Sequence, residues 1–152
     1  MSGAALAPQD WPGPFEVSGG CGCGGVRFRV HGKLRPPIAC HCGQCQRASG
    51  HFVVATQALA TDATITGADA ITWYRSSDIA DRGFCARCGS QLFYRPHDRK
   101  RLSIMMGVLD RPHPPELRLA AHIFTGDRAM YYDIADGCPQ FAMWQDGDAR
   151  AG

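Results

Sequence analysis

The placement of cysteine constrains this chain more than any other feature. Eight cysteines fall in 152 residues, seven of them in three tight clusters. Cys21-Gly22-Cys23-Gly24 precedes an alternating apolar stretch, and Cys40-His41-Cys42-Gly43-Gln44-Cys45 follows a Pro36-Pro37 turn. Cys85-Ala86-Arg87-Cys88-Gly89 lies between two strand-like segments, and Cys138 stands alone. Cys-x-Cys spacing favours chelation over disulfide pairing. Residues Met1 to Pro8 lack the basic n-region of a secretory signal, so a cytoplasmic, reducing compartment is expected. In such a compartment clustered cysteines are more often metal ligands than disulfides.

Composition sets the frame for those clusters. At 45% hydrophobic and 20% charged, the chain can build a core and is too weakly charged for a disordered polymer. Its length suits one domain. The boundaries expected are a flexible arm over 1–15 pinned at Trp11 and Phe15, a single zinc-binding body over 16–144, and a frayed end over 145–152. A net charge of +2 argues against nucleic acid as a partner. The one basic run, Arg95 to Arg101, reads as a solvated hairpin loop. No run approaches the roughly 18 apolar residues of a membrane helix, so no membrane partner is expected.

Eighteen glycines and ten prolines point to turns and short strands. Val26 to Val30 alternates apolar and basic residues, as a half-buried strand does. Phe52 to Ala55, Ile71 to Tyr74, Gln91 to Tyr94, Leu102 to Val108 and His122 to Phe124 are further strand candidates. Helical turns are expected at Gln44 to Ser49 and at Arg128 to Ile134. The fold class is mainly β with a few short helical turns.

A Cys-x-x-Cys pair followed by Gly, as at Cys85/Cys88, suits a zinc knuckle, because glycine lets the chain turn tightly around the metal. Four thiolates close a tetrahedral zinc, so this pair needs a second pair, and by spacing either remaining cluster can supply it. Cys21/Cys23 is the economical choice because it keeps Cys40, Cys42 and Cys45 together. Three protein ligands leave one position open for water or substrate, whereas four make a structural site. By spacing alone, Cys138 or His41 could close the trio.

Taken in this order and with these neighbours, the clusters resemble the glutathione-dependent formaldehyde-activating enzyme family. The resemblance runs from about Gly19 to Phe141 through GGCGCGGVRFRV, CHCGQCQRASG and GFCARCGSQLFY. GVLDRP and HIFTGDRAMYYDIADGCPQF continue it. It implies a β-tent of packed antiparallel sheets, held by a structural zinc on Cys21, Cys23, Cys85 and Cys88. A second, catalytic zinc on Cys40, Cys42 and Cys45 would bring the total to two per chain. The activity implied is that of a carbon–sulfur lyase joining a small thiol such as glutathione to formaldehyde or a related small aldehyde. At the position of Cys138 a buried small hydrophobe is expected.

Helpers for that chemistry are read from adjacency. His41 and His51 flank the trio and could move a proton or touch substrate. The planar fork of Arg47 suits a substrate carboxylate. Asp110 and His122 read as structural hydrogen-bonding residues. The competing class is a zinc-stabilised module that binds a protein or glutathione without turnover.

Overall fold

In Arg27 to His31 the arginines and histidine face solvent while Phe28 and Val30 are buried. That alternation is the signature of a strand with one wet face, and it recurs along the chain. This is a computed structural model, and it describes residues 5–145. Ten strands are described: β1 (Phe15–Gly20), β2 (Arg27–Gly32), β3 (Leu34–Cys40), β4 (Val53–Leu59) and β5 (Ala63–Thr66), then β6 (Ile71–Arg75), β7 (Ala80–Cys85), β8 (Gln91–Pro96), β9 (Arg101–Met105) and β10 (Ala121–Ile123). One α-helix, α1 (Gly43–Ser49), joins β3 to β4, and one-turn 3-10 helices punctuate the remaining connections.

The strands form two sheets. The smaller runs β1-β2-β5 and the larger β10-β3-β4-β9-β8-β7-β6. Every pairing is antiparallel except β10 beside β3, which is parallel. Both faces of the large sheet are used. On one face, Leu34, Ala58, Leu102, Ile104 and Phe93 meet Val17, Val26, Phe28 and Val30 of the small-sheet side in the main core. Phe28 and Phe93 lock the two sheets edge to face, with ring centroids 5.5 Å apart. On the other face, Val53, Ala55 and Met105 form a smaller cluster with Cys45 of α1.

The mainly β expectation with packed antiparallel sheets matches this architecture. The six strand candidates correspond to β2, β4, β6, β8, β9 and β10, with Met106–Val108 turning into a 3-10 helix beyond β9. The turn of helix expected at Gln44 to Ser49 is α1. The one expected at Arg128 to Ile134 is not helical: a turn at Met130 and Tyr131 leads into extended chain. The 3-10 turn precedes it, at Thr125–Asp127. Tyr132 is drawn inward to His41, and the Arg128 guanidinium caps the Tyr132 carbonyl.

Strand β3 carries Pro36 and Pro37 inside a seven-residue run. Proline cannot donate to a ladder, and the β3–β4 register shifts between Arg35 and Ile38 at this point. The Pro37 carbonyl instead accepts from the Ala120 amide, which leads β10 in beside β3. Within the arm, Trp11 is buried and its indole donates to the Leu6 carbonyl, while the Leu34 amide donates to Pro12. Phe15 is the first residue of β1. Of the segment expected to fray, residues 146–152 lie outside the described residues. The basic run spans the β8–β9 hairpin. Asp98, Arg99 and Lys100 of its turn are exposed, as expected of a solvated loop, whereas Arg95 is built into β8, its guanidinium stacking 3.6 Å over the Trp73 ring and pairing with Asp81.

Candidate metal centres and their cavity

Cys21 and Cys23 sit in the tight connection after β1, Cys85 ends β7, and Cys88 lies in the β7–β8 turn. Their four sulfurs gather within 4.8 Å of one another. The Cys21–Cys23 separation is 3.5 Å and Cys23–Cys85 is 3.8 Å. A tetrahedral zinc with bonds of about 2.3 Å places its sulfurs about 3.8 Å apart, so this donor set fits that ion. Local amides already point at the sulfurs, with Val26 N–H donating to Cys21 Sγ at 3.2 Å. Ser90 tethers the two loops, accepting from Gly22 N–H at 2.9 Å and lying 3.2 Å from Cys88 Sγ. Ser90 pulls the Cys88 thiol down to about 5. Gly89, with φ of +78°, makes the turn that returns the chain to β8.

The trio is assembled by the end of a strand and the start of a helix. Cys40 ends β3, Cys42 is the N-cap of α1, and Cys45 lies in its first turn. Cys42 Sγ accepts from Cys45 N–H at 3.4 Å, so the residue that starts the helix is also a thiol donor. The three sulfurs lie within 4.8 Å of one another. Three sulfurs this close cannot all ionise without a cation between them. The Cys40 thiol is pushed far up, first by Cys42 and then by Cys45, while the same contacts among the three hold Cys42 far down. From the large sheet, Arg82 Nη2 donates to Cys45 Sγ at 3.5 Å.

These thiols form part of the wall of a cavity of about 540 Å³. Ile38, Val53, Ala55 and Met105 give it an apolar side, and Phe124 and Trp144, packed edge to face, close another. Asp78 and Asp127 supply carboxylates, both on exposed residues. Arg35, Arg82, Tyr94 and Ser103 are the polar residues that come from the sheet. Burial pushes the Tyr94 phenol up to about 12.

The helpers read from adjacency lie elsewhere. None of His41, His51 and Arg47 is part of the cavity lining. Arg47 is exposed on α1, and His51 is exposed with its Nδ1 2.6 Å from the Tyr131 hydroxyl. His41 is fully buried. Strand alternation turns it away from Cys40, and it enters a four-residue chain: Tyr132 Oη to His41 Nδ1 at 2.5 Å, His41 Nε2 to His122 Nδ1 at 2.8 Å, His122 Nε2 to Asp136 at 2.8 Å. The Asp136 carboxylate is held below its usual range by the Cys138 amide and then by His122. A carboxylate only accepts, so one direction satisfies all three bonds, with each group donating toward Asp136. Burial pushes His41 down to about 4, which keeps the ring neutral. The backbone on either side of His41 carries Cys40 and Cys42, so this chain anchors the trio from behind.

Cys138 is half-buried, and its thiol donates to the Leu119 carbonyl at 3.3 Å. It gathers with His122 and Asp136 and not with the trio. Asp110 is structural, as its neighbours suggest: it pairs with Arg27 and accepts from Ser18.

Two packed, mostly antiparallel sheets with two cysteine clusters able to hold metal ions define a small mainly β domain of metal-site type. Within that class, the family model for glutathione-dependent formaldehyde-activating enzymes matches residues 16–127, and the chain belongs to that family. A protein of Halomonas elongata, provisionally named a glutathione-dependent formaldehyde-activating enzyme, is 28% identical over 129 residues, covering 78% of this chain and 80% of its own. A crystal structure of a Rhodobacter sphaeroides protein is 21% identical with a TM-score of 0.55, over 82% of this chain and 98% of that one. That likeness concerns the fold alone.

Proposed function

We propose that this protein is a zinc-dependent carbon–sulfur lyase acting in the condensing direction. It would add a glutathione-like thiol to formaldehyde or a related small aldehyde, in the cytoplasm. The observation that carries this reading is the convergence of Cys40, Cys42 and Cys45 in the wall of a cavity large enough for a small-molecule thiol. Cys21, Cys23, Cys85 and Cys88 would hold the structural zinc, and the trio the second. A zinc ion bound by three thiolates supplies Lewis acidity and keeps a substrate thiol ionised at neutral pH.

The chain's own residues account for the rest. In the addition, the carbon–sulfur bond forms between the thiol sulfur and the aldehyde carbon, and the proton lost by the thiol ends on the former carbonyl oxygen. Arg82 balances negative charge at Cys45. Tyr94 packs against the cluster around Cys45 and stays protonated at neutral pH, so its O–H is a donor for the developing alkoxide. The apolar wall and the Phe124–Trp144 pair limit water around the reacting atoms. The uncatalysed addition is already feasible, so positioning and a raised thiolate fraction suffice.

Exchange NMR of formaldehyde with glutathione tests the reading. Zinc-loaded protein is expected to accelerate exchange, and Cys42→Ala to abolish the acceleration. No acceleration by protein carrying two zinc ions per chain overturns it.

A further inference from the structure

The cavity floor has a feature that the cysteines do not explain. Register places Arg35 of β3 opposite Gln57 of β4, Gln57 opposite Ser103 of β9, Ser103 opposite Tyr94 of β8, and Tyr94 opposite Arg82 of β7. Directly paired residues share a face, so these five side chains form one polar row across five adjacent strands. The face is otherwise apolar here, through Ile38, Ala55 and Met105. Four of the five, Arg35, Gln57, Ser103 and Arg82, are buried, and two carry guanidinium groups. None is acidic.

Arg82 is the informative member. It is 6% exposed, and no carboxylate of the described residues lies within ion-pairing reach of it. One Nη2 donation goes to Cys45, and Tyr94 presents its ring face 5.2 Å away. Its Nε is buried with no hydrogen-bond partner among the described residues. A guanidinium has five N–H donors in a planar fork, so the sulfur contact leaves the geometry that fits a carboxylate edge-on uncommitted. A buried N–H left unmade is destabilising, and a ligand supplying an acceptor relieves that cost.

Resting on the reading that a thiol meets the trio, we propose that the members of this row that line the cavity, Arg35, Ser103, Tyr94 and Arg82, form an anion-receiving floor, with Arg82 as the docking group and Arg35 reinforcing the positive charge. Among the thiols of that reading, those whose sulfur and carboxylate can engage the cavity together are then favoured. Arg82 is a specificity-determining residue of this site, the role that sequence adjacency had suggested for Arg47.

Calorimetric binding of 3-mercaptopropionate and of 2-mercaptoethanol to the metal-loaded protein tests this. The carboxylate thiol is expected to bind about tenfold or more tightly than the neutral one, the worth of a charge-assisted hydrogen bond. In Arg82→Met the two are expected to bind within about twofold of each other. Arg82→Lys keeps a cation beside Cys45 but loses the fork; if Arg82→Met sheds its metal or fails to fold, Arg82→Lys is read instead, with the preference expected to fall several-fold. Equal binding of the two thiols by the native protein overturns the floor, and so does a preference that survives unchanged in both variants. Exchange NMR is scored separately. Catalysed exchange without a carboxylate preference removes the floor and leaves the reaction, while the preference without catalysis removes the reaction and leaves the floor.

Discussion

At the scale of single residues, backbone conformation and one partly buried ion-pair cluster give the sharpest expectations. Gly67 has φ of +75°, and a Cβ there would lie 2.0 Å from the Gly25 carbonyl oxygen. Gly67→Ala is expected to destabilise the fold by about 2 kcal/mol or more. Gly107→Ala, where a Cβ meets nothing within 4 Å, is expected to stay within about 0.5 kcal/mol when both variants are unfolded in urea. Asp81 is mostly buried and accepts from His97 at 3.0 Å and from Arg95 at 3.3 Å. His97, followed by Arg95, holds its carboxyl below the usual carboxylate range. A carboxyl depressed in the folded state stabilises at pH above its unfolded value and loses that contribution as pH falls through the folded one. The Tm of Asp81→Asn is therefore expected below the native Tm at neutral pH, with the gap closing below about pH 4. A gap that stays constant down to pH 2 would contradict this account.

At the scale of elements, the loop bearing Cys40 and Cys42 is fixed by what packs behind it. The chain from Tyr132 through His41 and His122 to Asp136 spans residues more than 90 apart in sequence and fastens the last described segment to the end of β3. Asp136→Ala leaves the buried His122 N–H without its carboxylate acceptor, which destabilises the fold. That loss is expected in equilibrium unfolding of the metal-loaded protein, along with faster release of metal from the trio to a chelator. The shift without faster release would restrict the chain to a general structural role. Short helices such as α1 gain little from propensity. Its start at Cys42 and its stop at Gly50, which adopts φ of +84°, are both marked locally, which is why the sequence exposes this element clearly. β3 is hidden by contrast, because Pro36 and Pro37 read as a turn until the partner strands around them are known.

At the scale of the whole molecule, two cysteine clusters that could each hold a metal ion divide the labour in the proposed function. The set at Cys21, Cys23, Cys85 and Cys88 joins the small sheet to the outer strands of the large one, and a metal there ties segments over 60 residues apart. Stepwise chelation, followed by zinc release and near-UV circular dichroism, is expected to remove the metal of the trio first. Three thiolates in a cavity wall hold it less completely than four, and loss of the second ion is expected to coincide with loss of tertiary signal. Cys85→Ser is expected to lower bound zinc by about one equivalent per chain and to destabilise the fold. Simultaneous release of both ions with the fold intact would contradict this division.

The sequence by itself determined the three cysteine clusters, the short-strand character and the family resemblance, while spacing left open which clusters share a site and the fold decided it. Ligand spacing, alternation and turn residues are local signals, and a tight Cys-x-x-Cys-Gly carries its geometry with it. Only the tertiary structure decided what surrounds the trio. Arg82 and Tyr94 are spaced 12 residues apart and Arg35 lies far from both, yet one register line across β3, β4, β9, β8 and β7 sets them on the cavity floor. His41, His51 and Arg47 are neighbours of the trio along the chain and lie outside the cavity. Adjacent residues on a strand point to opposite faces, and an exposed turn of helix points to solvent, so closeness along the chain does not predict closeness in a site assembled across strands.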